Sequence, residues 1–138
     1  MVRTLIIEDK ISEAQRIKAA LETLGHSVVH ITGANELKDG VIVSRNHEVI
    51  NPREFDVAFV DATLDGLYHG WHLAPVLLNA GVVCIAISSG GQFNPMVQAA
   101  GAQLAMAKEE VVPDLEDGRL DLADIIRKFG RQAASPSP

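Results

Sequence analysis

Short apolar runs of strand length recur along this chain, and they constrain its fold more than any other feature. Runs of this kind are typical of strands that are buried on both faces. Segments with helical spacing of apolar residues lie between most of them. We therefore predict an α/β fold, a doubly wound parallel sheet of five strands that helices cover on both faces. The runs cover residues 4–7, 27–31, 55–60, 82–87 and 103–107.

Signals for helix ends divide the segments between the strands. Ser12 and Gln15 have the spacing of a capping box, and Gly25 is a typical stop for the helix that follows. Further helices are predicted over 34–38, after Gly70, after Asn94 and after Asp121, with Asn94 and Asp121 as N-caps.

The segment before the third strand interrupts this alternation. Residues 41–52 contain two short β-prone runs around a polar turn, which predicts a hairpin-like insertion within one domain over 1–130. The insertion could either cover an edge of the sheet or form a contact in a homodimer. Residues 131–138 are small, polar and proline-rich, so a disordered tail is expected there.

Composition and charge restrict the partners and the compartment. The length of 138 residues is typical of one domain, and 47% apolar residues are enough to fill a single hydrophobic core of that size. The formal net charge of -6 disfavours nucleic acid and anionic membrane surfaces as partners. Cys84 is the single cysteine and lies in an apolar run, and no apolar stretch has the length of a membrane span. We expect a cytoplasmic protein that binds neither nucleic acid nor membrane.

Polar residues end four of the five predicted strands. They are Glu8 and Asp9 after the first, Asp61 after the third, Ser88 after the fourth and Lys108 after the fifth. The carboxyl ends of parallel strands share one edge of a sheet, so these side chains should lie together. Clustered carboxylates repel one another unless a cation neutralises them, and Mg²⁺ prefers oxygen ligands. Beside such an ion, Lys108 would supply a point charge and Ser88 a hydroxyl for a phosphoryl group.

Several segments resemble, in order, those of the receiver domains of bacterial response regulators. The resemblance extends from Thr4 to Gly130 and implies a flavodoxin-like fold with the strand order 2-1-3-4-5. It rests on Leu5-Ile6-Ile7-Glu8-Asp9, on Phe55-Asp56-Val57-Ala58-Phe59-Val60-Asp61, on Val83-Cys84-Ile85-Ala86-Ile87-Ser88-Ser89, and on Gly101-Ala102 followed by Lys108.

The resemblance also implies a role for each of these polar residues. Asp61 would accept a phosphoryl group from a histidine kinase or a phosphotransfer protein, and the signal would pass by docking to a downstream protein target. Such a domain is not an enzyme beyond self-catalysed phosphotransfer and dephosphorylation. The implied Mg²⁺ ligands are Glu8, Asp9, Asp61 and the backbone carbonyl of Thr63, and the implied phosphoryl contacts are Lys108 and Ser88.

Three positions depart from the family's pattern and support other hypotheses. Lys10 follows the acidic pair, Ala105 replaces an aromatic residue, and Glu109 replaces the proline after the lysine. A pseudo-receiver, which acts as a protein-interaction module without phosphorylation, is therefore an alternative. A flavodoxin-like or Rossmann-like enzyme is less favoured, because no glycine-rich phosphate turn follows the first strand.

Two histidines in the loop after the third strand suggest a further metal site only weakly. His69 and His72 are three residues apart, but no third ligand with suitable spacing accompanies them. We interpret them as loop histidines, and Trp71 between them as a packing residue.

Overall fold

The computed structural model describes residues 1–130, so the tail predicted over 131–138 lies outside the described residues. The strands are β1 (Arg3–Ile7), β2 (Ser27–Ile31), β3 (Ala34–Lys38), β4 (Val41–Ser44), β5 (Val49–Ile50), β6 (Val57–Asp61), β7 (Val83–Ser88) and β8 (Leu104–Ala107). The α-helices are α1 (Ile11–Thr23), α2 (Gly70–Asn79), α3 (Asn94–Ala99), α4 (Lys108–Glu116) and α5 (Leu122–Phe129).

Five of these strands form the central parallel sheet. Their order across the sheet is β2-β1-β6-β7-β8, which confirms the predicted order 2-1-3-4-5 for the parallel strands. Every pairing within this sheet is parallel. The strand order reverses between β1 and β6, so their carboxyl ends flank the crevice where ligands bind in open sheets of this kind.

The segment between β2 and β6 forms a small antiparallel sheet of three strands, β3-β4-β5. The predicted hairpin is therefore present, but the short helix predicted over 34–38 is wrong, because these residues form β3. Asp39 and Gly40, which join β3 to β4, both have positive φ, at 54° and 78°. Two such residues are typical of the tight turn whose twist suits a hairpin, and this turn holds 34–38 against β4.

The helix caps differ from two of the three predictions. The capping box at Ser12 is wrong: Glu8 accepts a hydrogen bond from the Lys10 N–H, and α1 begins at Ile11 with no side-chain cap. Asn94 is not an N-cap but the first residue of α3. The Asp121 cap is confirmed, because its side chain accepts a hydrogen bond from the Asp124 N–H at 3.2 Å.

Two apolar clusters cover the faces of the central sheet. The first joins β1, β6 and β7 to α2 and α3, and Ile42 and Ile50 of the small sheet belong to it. The second joins the opposite side of the same strands to α1, α4 and α5. The small sheet therefore packs on the main core as one of its covering elements. No helix within the described range is long and apolar enough to cross a membrane.

Candidate functional site

A cavity of about 390 Å³ opens at the carboxyl ends of β1, β6 and β7. Most of the polar residues predicted at this edge line it, and they meet there because the strands end in register. Ile7 pairs with Val60, and Asp61 pairs with Ile87. The residues in the cavity wall that bear on its chemistry are Asp9, Lys10, Asp61, Thr63, His69, Ser88 and Lys108.

Three carboxylates converge at this cavity. One oxygen each from Glu8, Asp9 and Asp61 lie within 4.8 Å of one another. Glu8 and Asp61 are buried, whereas Asp9 is half-buried. Glu8 is held at the end of β1, because its N–H donates to the Ile31 carbonyl and continues the pairing with β2. The carboxylate cluster predicted from the strand ends is thus present.

Lys108 joins two of these carboxylates. Its Nζ lies 2.8 Å from Oε1 of Glu8 and 3.0 Å from Oδ2 of Asp61, and the lysine is buried. Burial acts to lower the pKa of Lys108, but the contacts with Glu8 and Asp61 outweigh it, so the pKa is raised. Lys108 is therefore a fixed positive charge in the floor of the cavity.

The two acids that follow β1 differ in protonation. Burial, and after it the neighbouring Asp61, raises the pKa of Glu8 to about 8, although Lys108 acts in the opposite direction. The pKa of Asp9 is lowered: burial opposes this, but hydrogen bonds from the Asp65 N–H and from Glu8 outweigh it. Near neutral pH, Asp9 is an anion and Glu8 holds a proton for much of the time.

This donor set fits a hard divalent cation. Glu8 Oε1 is buried, and besides its ionic contact with Lys108 it receives no aligned hydrogen bond from the described residues. Burial is the main cause of the raised pKa of Glu8, and a cation that meets oxygens of Glu8, Asp9 and Asp61 would compensate for it and for the repulsion between the carboxylates. Thr63 lines the same cavity, and its N–H donates to Asp61 Oδ1 at 3.2 Å. Its carbonyl as a metal ligand stays a prediction.

Ser88 ends β7 beside Asp61 and lines the same cavity. Its hydroxyl is buried and lies 3.0 Å from Oδ1 of Asn94, the first residue of α3. The sequence pattern indicated Ser88 but gave Asn94 only a capping role. Asn94 could not have been found from local signals, because its partners lie in β7 and β8.

His69 is another residue of the cavity wall that the sequence did not single out as part of the site. Its Nδ1 accepts a hydrogen bond from the Leu64 N–H at 3.1 Å, and Nδ1 of His72 accepts one from the His69 N–H at 2.9 Å. Each neutral ring therefore carries its proton on Nε2, which leaves that atom no lone pair for a metal. Neither histidine therefore joins a metal-ligand group among the described residues. The interpretation of both as loop histidines is wrong for His72, which lies in the first turn of α2. Trp71 packs against the first apolar cluster, as expected.

Gly70 sets the distance between α2 and the end of β6. A Cβ atom at this position would lie 2.5 Å from the carbonyl oxygen of Asp61 and 2.9 Å from Cα of Ala62. The Gly70 N–H donates to the Ala62 carbonyl at 3.0 Å. Only glycine permits this close approach, so it fixes the backbone that carries Asp61.

Comparison with known proteins identifies the fold. No family model matches the chain, and no curated protein matches it. Among solved structures, a receiver domain protein from Clostridium thermocellum aligns with 93% of this chain and 96% of its own, at 18% identity and a TM-score of 0.66. A two-component response regulator from Clostridium difficile aligns with 93% and 92%, at 19% identity and a TM-score of 0.57.

A third similar structure is the receiver domain of a sensor histidine kinase from Pseudomonas aeruginosa, described with a magnesium ion coordinated in its active-site cleft. It aligns with 93% of each chain, at 18% identity and a TM-score of 0.57. At these identities the likeness shows the fold. The protein therefore has the flavodoxin-like fold of receiver domains, with a three-stranded antiparallel sheet before the third parallel strand.

Proposed function

We propose that residues 1–130 are a phosphoacceptor receiver domain of a two-component or phosphorelay system, phosphorylated on Asp61 in the presence of Mg²⁺. One observation carries the proposal: a buried lysine and three carboxylates, with oxygens of the carboxylates within 4.8 Å of one another, lie at the carboxyl ends of the strands in a receiver-type fold. This is the combination that phosphoryl transfer to a carboxylate needs, since its catalysis is positioning and charge neutralisation.

In the proposed reaction, a carboxylate oxygen of Asp61 attacks the phosphorus atom of the donor. A bond forms between that oxygen and phosphorus, the bond from phosphorus to the donor breaks, and the electron pair leaves with the donor. Lys108, 3.0 Å from Asp61 Oδ2, would meet the charge on a phosphoryl oxygen. A Mg²⁺ ion bound by Glu8, Asp9 and Asp61 would neutralise charge on the carboxylates and the phosphoryl group.

The donor would be a histidine kinase or a phosphotransfer protein, and the output would be docking to a downstream protein target in the cytoplasm. The net charge of -6 favours protein partners over nucleic acid or anionic membranes. The domain would catalyse its own phosphorylation and dephosphorylation at most, without turnover of a separate substrate.

The test is intact-mass measurement after incubation with acetyl phosphate and Mg²⁺. We expect the native chain to gain the mass of one phosphoryl group and Asp61→Asn to gain none. Asp65→Asn is the matched control, because Asp65 is an exposed acid in the same loop. A gain that persists in Asp61→Asn would contradict the site, provided that Asp65→Asn behaves like the native chain.

A pseudo-receiver is the second candidate, and one contact favours it. Lys108 already meets Glu8 and Asp61 directly, so part of the negative charge is compensated without a metal ion. In that case the domain would act through protein contacts, as a homodimer or with other proteins, and would have negligible affinity for Mg²⁺. Folded protein that gains no mass, and whose Trp71 fluorescence does not respond to Mg²⁺, would favour this candidate.

A further inference from the structure

The amide of Asn94 contacts Ser88, one of the residues that line the cavity, and links it to β8. Its Nδ2 donates to the Met106 carbonyl at 2.9 Å, and its Oδ1 lies 3.0 Å from Ser88 Oγ. Asn94 is 6% exposed and Ser88 is 3% exposed. Buried polar groups of this kind are held by their partners, so the two contacts define how the amide is oriented.

The two contacts also fix the direction of the Ser88 proton. A backbone carbonyl only accepts, so the amide nitrogen of Asn94 must face the Met106 carbonyl and its oxygen must face Ser88. That oxygen only accepts as well, so Ser88 must be the donor. The hydroxyl proton is therefore directed toward Asn94 at the start of α3, and Ser88 presents only lone pairs to any other neighbour.

This arrangement is incompatible with a phosphoryl contact. Oxygens of a phosphoryl group on Asp61 accept hydrogen bonds, and Ser88 has one proton to donate. It cannot serve Asn94 and a phosphoryl oxygen at the same time. In the unphosphorylated protein, Ser88 thus donates its proton to Asn94 and cannot make the phosphoryl contact expected of it.

We propose that Asn94 is a positioning residue that keeps the Ser88 hydroxyl proton engaged until Asp61 is phosphorylated, when Ser88 exchanges this hydrogen bond for one to a phosphoryl oxygen. The inference rests on the proposed function and names a residue that regulates the same site. The exchange leaves Asn94 Oδ1 buried without its donor, which is costly. The amide must then reorient, and because it joins the start of α3 to β8, the exchange passes the state of Asp61 to both elements.

The hydrogen bond from Asn94 reaches β8, a strand without an aromatic side chain. Ala105 in β8 has no ring that could change rotamer, whereas Met106 beside it accepts the hydrogen bond from Asn94. The coupling between the phosphorylation site and β8 would therefore depend on a hydrogen-bonded amide instead of a side-chain ring.

The test uses beryllofluoride with Mg²⁺, a mimic of a phosphoryl group bound to a carboxylate. Its affinity is measured for the native chain, Asn94→Leu, Ser88→Ala and the double variant. Leucine has nearly the shape of asparagine and cannot hold the Ser88 proton. We expect Asn94→Leu to bind about three- to ten-fold more tightly than the native chain, the range of one hydrogen bond, and to have no such effect in the Ser88→Ala background.

Two substitutions test whether the loss of a serine hydroxyl, or the change from asparagine to leucine, alters the affinity when made at another position. Ser89→Ala removes the adjacent exposed hydroxyl, and Asn79→Leu makes the same replacement at an exposed position of α2. Both should bind beryllofluoride as the native chain does. If Asn94→Leu changed the affinity equally with and without the Ser88 hydroxyl, Asn94 would not act through Ser88 and the inference would be overturned.

A spectroscopic readout needs no variant of Asn94 and so does not depend on whether that variant folds. In ¹⁵N–¹H spectra, the side-chain amide signals of Asn94 should shift when the native chain binds beryllofluoride. They should stay unchanged when Ser88→Ala binds it. A complex that forms in the native chain without a shift at Asn94 overturns the inference and leaves the proposed function intact. Folded native chain that forms no complex contradicts the proposed function itself, and the inference with it.

Discussion

The Nζ atom of Lys108 lies 3.0 Å from Oδ2 of Asp61. Lys108 is the first residue of α4, and Glu109 follows it. Ala107 ends β8 and Lys108 begins α4, so no loop separates the two elements. The carboxylate of Glu109 accepts a hydrogen bond from the Gly90 N–H at 3.0 Å, which ties the start of α4 to the end of β7. The strand, the helix and this contact together direct the lysine toward the carboxylates.

Replacing Lys108 tests how much the buried charge contributes to the fold. In Lys108→Met, the carboxyl groups of Glu8 and Asp61 lose their cationic partner inside the protein. We expect a loss of about 3 kcal/mol in the free energy of unfolding without metal, as is typical when one partner of a buried ion pair is removed. Urea unfolding in the presence of EDTA measures this loss.

Lys10→Met is the matched control for that substitution, because Lys10 is an exposed cation at the same cavity. It should change the free energy of unfolding by less than about 0.5 kcal/mol. Adding Mg²⁺ should stabilise Lys108→Met more than the native chain, since the ion would replace the missing charge. Equal stability of the two variants in EDTA would show that the buried contacts of Lys108 have no net effect.

The raised pKa of Glu8 predicts how the stability of the metal-free protein depends on pH. The pKa is raised from 4.5 to about 8. Between these values the unfolded chain releases the Glu8 proton while the folded chain keeps it. The stability contribution is therefore complete below the unfolded pKa and is lost as the pH rises through the folded pKa. We expect a decrease of about 2–4 kcal/mol across this range.

The measurement is urea unfolding in EDTA at several pH values between about 5 and about 8.5. Glu8→Gln cannot release a proton there, so its free energy of unfolding should change less with pH than that of the native chain. Glu36→Gln, an exposed control, should keep the native dependence. If Glu8→Gln and the native chain showed the same pH profile, Glu8 would not carry the raised pKa.

The parallel sheet and the carboxylate cluster were predictable because both follow from short-range patterns. An uninterrupted apolar run indicates a buried strand, and a polar residue at its end must lie at one edge when the strands are parallel. Glu8, Asp61 and Lys108 meet for this reason, without any information about side-chain packing. Strand ends in the sequence therefore predict positions at the site even when the contacts between side chains are unknown.

The short β3 strand and the role of Asn94 were not predictable in the same way. Residues 34–38 include good helix formers, and the turn at Asp39-Gly40 decides their conformation. Asn94 precedes a proline, which favours a cap, but its contacts with Ser88 and Met106 depend on three elements packing together. Local preference is overruled wherever a partner that is distant in sequence supplies the stronger contact.

Gly70→Ala tests whether close packing of α2 holds the backbone that carries Asp61. Gly70 begins α2 and does not have a positive φ. Replacing glycine by alanine at such a position stabilises a protein by about 0.4–1 kcal/mol when no clash results. The new Cβ would lie 2.5 Å from the Asp61 carbonyl, so we expect destabilisation by about 1–3 kcal/mol instead. Urea unfolding gives the sign, and a more stable variant would contradict the packing described here.

The small sheet should unfold together with the central sheet, because its buried residues belong to the same apolar cluster. Ile42 is fully buried there, whereas Val49 on the neighbouring strand is 68% exposed. We expect Ile42→Ala to cost about 2–5 kcal/mol and Val49→Ala less than about 1 kcal/mol. Trp71 packs against the cluster, so its fluorescence and far-ultraviolet circular dichroism can follow urea unfolding in parallel. Both signals should shift together in Ile42→Ala; if the Trp71 transition kept its native midpoint, the small sheet would be an accessory that folds independently of the core.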